Sequence, residues 1–400
     1  MTDSTATDDA RVDELVPDPA PELDGLRAQI NQINDEMLAL FERRMQVSAA
    51  IADAKRSSGK AVNDPARERA ILAEVADKAP ADMQGYATVL FSLLMEMSRG
   101  YQEARLSPES PLRRQIADAL ASTPALFPTK GLVACQGVEG AYSQMACDKL
   151  FKHPSIMYFS SFEGVFKAIE QGMCAYGIVP IENSTAGTVN RVYDLMMEHE
   201  FHIVRTVRLK VDHCLLAKPG VTLDQIREVH SHEQAISQCH DFLESLKGVR
   251  VVPEANTAEA AKAAAAAGRD DVAVLASARC AELYGLEVLR RSVQDEGNNY
   301  TRFACITKDL QIFPGADRAS LMMVLPHRPG SLYKALARFY ALDVNLVKLE
   351  SRPLPSRDFE FMFYFDLEIP VVAPEFATLL AELEEFSEEF TYLGSYSEIA

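Results

Sequence analysis

Paired cysteines, long apolar runs and an excess of positive charge are all missing from this 400-residue sequence. The seven cysteines are scattered without C-x-x-C spacing, which favours reduced thiols over disulfides or a metal site. No apolar run reaches the roughly 18 residues that a membrane-spanning helix needs. Acidic residues outnumber lysine and arginine by 58 to 40, for a net charge of −18. Nucleic acid and anionic membranes are therefore poor partners, and anionic substrates must be bound by local clusters of arginine and lysine.

Length and composition predict a multidomain globular protein. A chain of 400 residues is expected to form two or three domains rather than one core. Residues 1–20 are acidic and rich in aspartate, threonine and proline, which predicts a disordered tail rather than a signal peptide. With reduced thiols, this indicates a cytoplasmic protein.

The first folded segment is predicted to be a long amphipathic helix. Its apolar residues follow a 3,4 alternation through Leu23, Leu26, Ile30, Ile33, Met37, Leu40, Val47 and Ile51. Between Leu40 and Val47, the position that this alternation would give to an apolar residue is occupied by Arg44. Lys55 lies eleven residues further on. Eleven residues are close to three helical turns, so both cations face the same side. Buried cations are costly unless paired, so this side is expected to bind an anion.

Two further helices follow. Asp64-Pro65 is a capping pair that begins the second helix, which carries Arg67 and Glu68. The third helix is predicted from about Met83 to Arg105, with Ser98 and Gln102 on one face.

This pattern over residues 21–105 resembles the small all-helical chorismate mutases. The resemblance implies a three-helix domain whose catalytic residues are Lys55, Glu68 and Gln102. It also implies substrate binding by Arg27, Arg44, Asp64, Arg67 and Ser98.

The spacing of two of these arginines predicts an oligomer. Arg27 and Arg44 are seventeen residues apart, or about 25 Å along a straight helix. A ligand less than about 10 Å long cannot contact both from one chain. If Arg27 is catalytic it must therefore serve a second subunit, and an interlocked homodimer or a higher homo-oligomer is expected. The alternative is that Arg27 is a solvated first-turn residue.

The central region is predicted to be a two-lobed α/β domain. Residues 106–129 are expected to form a mobile connector that is Pro-rich at both ends, with a short helix at 112–121, and residues 130–310 alternate strands with helices. Within them an apolar run from Ala175 to Val179 predicts a buried strand that Pro180 closes. The polar residues Glu182, Asn183 and Ser184 follow at once, and polar groups beyond such a strand usually face a ligand crevice. The alternative is a turn in which Ser184 and Thr185 cap the next helix.

Three blocks of this region resemble prephenate dehydratases: Gly137 to Ser143, Pro180 to Ser184, and Asn299 to Phe303. The resemblance implies that Thr301 is the catalytic residue and Arg302 an anion partner. It further implies that Asn183, Ser231 and Gln238 line the substrate cleft, with Ser143 and Glu182 near it.

Residues 318–400 are predicted to form a βαββαβ unit, which is ferredoxin-like. This unit resembles an ACT regulatory domain: Leu349 to Pro353 matches a phenylalanine-binding block, and Gly330-Ser331-Leu332-Tyr333 stands at the other block. The implied effector residues are Gly330, Leu332, Asn345, Leu346, Glu350, Ser351 and Arg352. The bulky Tyr333 is expected to weaken or alter effector binding. One face of the sheet is expected to be exposed, so that two ACT units pair around the effector.

Together the resemblances imply a bifunctional chorismate mutase–prephenate dehydratase of phenylalanine biosynthesis. Chorismate would be rearranged to prephenate, which would lose water and CO2 to give phenylpyruvate, with phenylalanine as allosteric effector. Neither step needs a metal or a redox cofactor. Two alternatives are a chorismate mutase–prephenate dehydrogenase, which would need a nicotinamide-binding unit, and a catalytically silent amino-acid sensor.

Overall fold

The computed structural model describes residues 20–58, 64–106, 111–354, 357 and 360–399. Of the predicted tail, residues 1–20, all but the last lie outside them, and Ala20 already begins a helix. The chain divides into two compact units, Met1–Pro108 and Glu109–Ala400. Among the described helices, none has the length and apolarity to cross a membrane.

The first unit consists of the three predicted helices, α1 Ala20–Ser58, α2 Pro65–Lys78 and α3 Gln84–Leu106. Asp64 caps α2, because its carboxylate accepts a hydrogen bond from the backbone N–H of Arg67 at 3.0 Å. Both α1 and α2 pack against α3.

Most of the apolar surface of this unit is uncovered in the single chain. Its described buried apolar residues are Ala52 and Met95. By contrast Leu40 on α1 is 63% exposed, and Tyr86 on α3 is 77% exposed. A continuous apolar surface of this kind usually marks an interface.

The second unit contains ten helices and fifteen strands within the described residues. The helices are α4 Pro111–Ser122, α5 Tyr142–Leu150, α6 Phe162–Glu170, α7 Asn190–Glu198, α8 Glu233–Gln238, α9 His240–Ser245, α10 Thr257–Ala266, α11 Ala278–Tyr284, α12 Ser331–Ala341 and α13 Pro374–Phe386, with a 3-10 turn at Leu223–Gln225. The strands are β1 Lys130–Gln136, β2 His153–Phe159, β3 Tyr176–Asn183, β4 Gly187–Thr188, β5 His202–Lys210, β6 Cys214–Ala217, β7 Glu228–His232, β8 Arg250–Glu254, β9 Val272–Ala276, β10 Glu287–Arg290, β11 Tyr300–Thr307, β12 Arg318–Val324, β13 Asn345–Pro353, β14 Phe361–Glu368 and β15 Glu389–Ile399.

Two sheets form the predicted lobes of the α/β region. The first lobe contains β5, β11, β3, β1 and β2 in that order, with β4 paired to β3. The second lobe is a five-stranded sheet of order β10-β6-β9-β7-β8. The chain crosses between the lobes at residues 211–213 and returns at 291–299. The two-lobed prediction is confirmed.

The C-terminal strands continue the sheet of the first lobe. Their order β13-β14-β12-β15 is ferredoxin-like, as predicted, and β15 pairs in parallel with β5. Gly394 permits this close approach: its φ is 132°, and a Cβ there would overlap the carbonyl oxygen of Ile203. The resulting sheet has ten strands, so one sheet joins the α/β region to the ACT-like unit.

Both faces of the ACT-like sheet are covered by the same chain. One face packs on α4, α12 and α13 through residues such as Leu112, Leu321 and Leu380. The other face packs on the first lobe, where the Tyr193 and Tyr364 rings meet edge to face at 4.8 Å. The prediction that one face of this sheet is exposed is therefore wrong, because α7 of the first lobe covers that face. The predicted connector likewise contains a packed element, since Leu112 of α4 is buried in this core.

β3 runs further than predicted. Pro180 was expected to close it, but the strand continues through Pro180 to Asn183. Phe303 faces Pro180 and Arg302 faces Glu182, so the register shifts by one residue there. This bulge accommodates a residue that has no N–H to donate. It places Glu182 and Asn183 directly beside Arg302 and Thr301.

Candidate active sites

A cleft of about 350 Å³ opens between the two lobes. Four of the predicted dehydratase residues line it, namely Ser143, Asn183, Gln238 and Thr301. The first lobe contributes the ends of β1 and β3 and the starts of β11 and α5, and the second lobe contributes α8 and the start of α10. The ends of strands and the starts of helices thus converge on one cavity, as in other α/β ligand sites.

Thr301 is held beside Asn183 on neighbouring strands. The two residues pair in register, and Thr301 is 8% exposed. The Asn183 amide donates to Thr301 Oγ1 at 2.9 Å. Since that bond uses a lone pair of the hydroxyl, its own proton is left to donate into the cleft.

Asn183 is itself fixed by the turn that follows it. Its Oδ1 accepts hydrogen bonds from the backbone N–H groups of Thr185 at 3.1 Å and Ala186 at 2.8 Å, and from the Thr185 hydroxyl at 2.8 Å. This Asx turn orients the amide so that its nitrogen points at Thr301.

Gln238 joins the second lobe to this arrangement. Its Nε2 donates to Thr185 Oγ1 at 2.9 Å, and its Oε1 accepts from Asn299 Nδ2 at 2.8 Å. Asn299 in turn accepts from Asn183 Nδ2 at 2.8 Å. These amides form a connected network that fixes Asn183 and Thr301 from both lobes. Sequence reasoning did not assign site roles to Asn299 and Thr185, although Asn299 begins the block that carries Thr301.

His213 is a further cleft residue that sequence reasoning missed. It is 3% exposed, and its Nε2 lies 3.2 Å from Gln238 Oε1, an acceptor, so Nε2 carries the proton. Burial lowers the pKa of His213, which keeps the ring neutral near pH 7. Its ring packs edge to face against Tyr142. The sequence feature that could have identified His213 is its position just before β6, where the chain crosses between the lobes.

Three predicted dehydratase residues lie outside the cleft. Arg302 follows Thr301 on the strand and therefore points to the opposite face of the sheet. There it is 5% exposed and forms an ion pair with Asp366 of β14. Glu182 faces the same side, 3.6 Å from Arg302. Ser231 is buried within the second sheet and donates to the carbonyl of Leu275 at 2.7 Å.

The described cleft residues include neither arginine nor lysine. The expectation that local cations bind the anionic substrate is therefore not met at this site. The groups present are hydroxyls, amides and the start of α5, whose N-cap residue Ala141 makes no side-chain cap. Free N–H groups at a helix N-terminus bind anions.

In the helical unit, the structure brings Arg44, Ser98 and Gln102 together on the α1–α3 side. Arg44 donates to the Leu94 carbonyl at 2.6 Å and to the Ser98 hydroxyl. Burial lowers its pKa, but an arginine stays charged at neutral pH. Gln102 is buried, and its Oε1 has no hydrogen-bond partner among the described residues. A buried acceptor without a described partner, on the helix that also accepts hydrogen bonds from the partly buried Arg44, suits a polar ligand.

Glu68 faces the same helix α3 from α2. It pairs with Arg99 at 2.6 Å, and both side chains are partly buried. Arg99 was not identified from the sequence, although it directly follows Ser98.

The remaining predicted mutase residues are more accessible. Arg27 is exposed and pairs with Asp24 at 3.0 Å, Asp64 and Arg67 are exposed at the start of α2, and Lys55 is half-buried near the end of α1.

The predicted effector residues are divided between two surfaces. Gly330 and Leu332 line a pocket of about 390 Å³, with Tyr333 among its lining residues. Glu350 instead accepts from Thr188 at 2.7 Å, and Arg352 donates to Asp194 at 2.7 Å, so both contact the first lobe. Three others lie on β13: Asn345 donates to Glu368 at 2.9 Å, Leu346 packs against the core, and Ser351 is exposed.

Comparison with known proteins identifies the two catalytic regions. Residues 133–311 match the family model of prephenate dehydratase, and residues 26–103 match that of chorismate mutase type II. The chain is 36% identical over 314 residues to arogenate dehydratase/prephenate dehydratase 2 of Arabidopsis thaliana, covering 76% of this chain and 81% of the relative. The chain belongs to the prephenate dehydratase family.

Solved structures agree with this membership. A prephenate dehydratase from Arthrobacter aurescens in complex with L-Phe is 27% identical, with a TM-score of 0.61 over 66% of this chain and 89% of that chain. A protein described as a quorum-quenching acylase, GqqA, is 35% identical, with a TM-score of 0.61 over 66% of this chain and 97% of that chain.

This prephenate dehydratase family member also carries a chorismate mutase domain, so it is a bifunctional enzyme of phenylalanine biosynthesis. The predicted family, fold class and pair of activities are confirmed. The two alternatives, a dehydrogenase and a silent sensor, are excluded.

Proposed function

We propose that the dehydratase acts on prephenate at the inter-lobe cleft, with Thr301 as proton donor. The observation that supports this is the Asn183–Thr301 hydrogen bond, in which Thr301 is the acceptor, so that its hydroxyl proton remains available to donate to a ligand in the cleft. In the reaction the bond to the ring carboxylate breaks and CO2 leaves. Its electron pair enters the ring, and the C–O bond at the opposite ring carbon breaks. The departing oxygen needs a proton to leave as water, and a positioned donor supplies such a proton.

Substrate binding would involve Ser143, Asn183 and Gln238 from the cleft wall. A carboxylate would bind at the start of α5, where Ser143 lies in the first turn and the backbone N–H groups are uncapped. Glu182, Ser231 and Arg302 would not contact the substrate, because they lie away from the cleft.

The mutase unit supports prephenate over arogenate as substrate, since it makes prephenate in the same chain. The Arabidopsis relative is named for both dehydratase activities. The test is kcat/KM for the two substrates with purified protein. Higher kcat/KM for prephenate is expected, and a preference for arogenate would refute the assignment.

An acylase activity like that named for GqqA is not proposed. Amide hydrolysis by a hydroxyl needs a base bonded to it. In the described cleft, Thr301 is bonded to an amide and His213 to Gln238.

The mutase site is proposed to be shared between two subunits. Arg44 and Arg67, with Arg27 of the partner subunit, would bind the carboxylates of chorismate, and Lys55 and Gln102 would donate to the breaking ether oxygen. Glu68 and the region around Asp64 would bind the hydroxyl, with Ser98 as a further substrate-binding residue. Such a site holds the substrate compact and stabilises developing charge, which is all that a pericyclic reaction requires. The uncovered apolar face of α1 and α3 supports a homodimer.

Phenylalanine is proposed as the allosteric effector. The support is the L-Phe complex of the Arthrobacter relative and the pocket at Gly330 and Leu332. Because the bulky Tyr333 is among the lining residues of this pocket, we expect weaker inhibition or an altered preference among aromatic amino acids. Titrating dehydratase activity with phenylalanine, tyrosine and tryptophan tests this. No response to any of them at millimolar concentration would refute it.

The proposed domains are 21–105 for the mutase, 130–310 for the dehydratase and 318–400 for the ACT domain, in a cytoplasmic enzyme. The contacts between the last two support treating them as one structural unit.

A further inference from the structure

We propose that Asp366 and Lys348 of the ACT domain are positioning residues for the dehydratase reaction. They would fix the strand pair that carries Thr301 and Asn183. The inference rests on the proposed roles of those two residues.

The strand register sets up this arrangement. Thr301 pairs with Asn183, and the next residues in each strand, Arg302 and Glu182, pair with each other. Successive side chains on a strand point to opposite faces. Thr301 and Asn183 therefore face the cleft, while Arg302 and Glu182 face the ACT domain.

Asp366 holds Arg302 in a buried ion pair. Arg302 is 5% exposed and Asp366 is 1% exposed. Ser320 and Tyr396 donate to the same carboxylate, the latter at 3.2 Å. Burial opposes the charge on Arg302, but Asp366 outweighs it and raises the pKa of the guanidinium. A fixed carboxylate of the ACT domain therefore sets the position of the residue that follows Thr301.

Lys348 holds the partner strand. Its Nζ lies 3.1 Å from Glu182 Oε1 and donates to Thr188 Oγ1 at 3.0 Å. Glu182 and Thr188 pair across β3 and β4. The turn between those strands contains Thr185, which bonds both Asn183 and Gln238. Lys348 thus ties together the two ends of the turn that orients the Asn183 amide.

Removing either contact would move β11 or β3. Without the Asp366 charge, Arg302 would be drawn towards its other carboxylates, Glu182 at 3.6 Å and Glu398 at 3.9 Å. A shift of about 1 Å in a reacting group can cost about 100-fold in rate. The Asp366 contact acts on β11 and therefore on Thr301, and not directly on the substrate-binding residues Ser143, Asn183 and Gln238. Its loss should therefore lower kcat more than it raises KM.

The first test is Asp366→Asn, which keeps the shape and removes the charge. We expect dehydratase kcat to fall at least about ten-fold, with KM for prephenate and mutase activity nearly unchanged. The matched control is Glu368→Gln on the same strand. Glu368 contacts Arg318 and Asn345 within the ACT domain, so its dehydratase activity should stay at the wild-type level. A folded Asp366→Asn enzyme with wild-type kcat would overturn the proposal.

A second pair of variants tests the other contact. Lys348→Met should lower dehydratase kcat in the same way, and Lys348→Arg, which keeps the charge and the donors, should restore most of it. Equal activity of Lys348→Met and wild type would contradict the proposal.

If Asp366→Asn does not fold, the double variant Arg302→Met/Asp366→Leu replaces the test. Removing both members of a buried ion pair is often tolerated, whereas removing one is not. The double variant should fold and show the same loss of kcat, and full dehydratase activity would overturn the proposal.

Thr301→Val in the same assay distinguishes failure of the positioning role from failure of the proposed catalytic role. If Thr301→Val is inactive while the ACT variants are normal, only the positioning role fails. If Thr301→Val is active, the proposed catalytic role fails.

Discussion

The Thr301 hydroxyl accepts a hydrogen bond from Asn183 and keeps its own proton for a ligand. Around it, Asn183, Gln238 and Asn299 contribute amides, and the described cleft contains no arginine or lysine side chain. Charge stabilisation in this site therefore depends on oriented dipoles, which need fixed geometry more than a nearby cation does.

Replacing Thr301 with valine keeps the shape of the side chain and removes the hydroxyl. We expect Thr301→Val to lower dehydratase kcat by more than about 100-fold, the lower range for a general acid, and to leave mutase activity intact. Supplied prephenate and supplied chorismate measure the two activities separately. Thr206→Val is the control, because the Thr206 hydroxyl is buried without a hydrogen-bond partner in the described chain. A Thr301→Val enzyme with a tenth of the wild-type rate would rule out the role.

His213 gives a prediction about pH and stability. Burial lowers its pKa in the folded protein, so below about pH 6.5, the ordinary pKa of histidine, the unfolded chain binds the proton more readily. The stability linked to the neutral ring is present above that pH and lost below it.

We expect the free energy of unfolding to fall less between about pH 7.5 and 5.5 in His213→Asn than in wild type. Urea unfolding at both pH values measures this. His240→Asn, at an exposed histidine, should keep the wild-type dependence. If the free energy of unfolding falls as much in His213→Asn as in wild type, His213 is not held neutral in the folded protein.

At the scale of elements, the sequence predicted most helices and strands. It did not show which side chains of those strands face the cleft and which face the ACT domain. Thr301 and Arg302 are neighbours in a strand that the sequence predicts, and successive side chains of a strand point to opposite faces. The sequence therefore already implied that the two side chains cannot both face the same cleft. The partner of Arg302 was not available, because Asp366 lies 64 residues further along the chain. The bulge at Pro180 was also hidden, since it depends on the register with β11.

Gly394 tests the joining of the ACT strands to the first lobe. A side chain there would overlap the Ile203 carbonyl and require a backbone φ of 132°. We expect Gly394→Ala to lower the free energy of unfolding by about 1–3 kcal/mol. Gly268→Ala is the control, because no atom lies within 4 Å of its added Cβ. Urea unfolding measures both variants, and equal stability would mean that β15 and β5 are not packed this closely.

At the scale of the whole molecule, the chain is two units, and the first has little core of its own. The sequence predicted a second subunit from the distance between Arg27 and Arg44. The uncovered α1 and α3 surfaces support the same proposal from burial. The covering of the ACT sheet by the dehydratase lobe could not be read from the sequence, because it depends on packing between distant segments.

Subunit exchange tests the shared mutase site. Arg27→Ala and Arg44→Ala proteins should each be inactive as mutases, and mixing them should restore part of the activity. In a mixed dimer one site collects both substitutions and the other collects neither. Mixing two batches of Arg27→Ala is the control. If exchange is verified and activity does not return, each site lies within one subunit.

The central claim is that one chain carries out two successive reactions at separate sites, and feeding it chorismate tests this most directly. The wild-type enzyme should convert chorismate to phenylpyruvate and CO2. Thr301→Val should stop at prephenate, and Lys55→Ala should leave chorismate largely unchanged while still converting supplied prephenate. Loss of both activities in either folded variant, or a wild-type enzyme that accumulates prephenate without forming phenylpyruvate, would contradict the account.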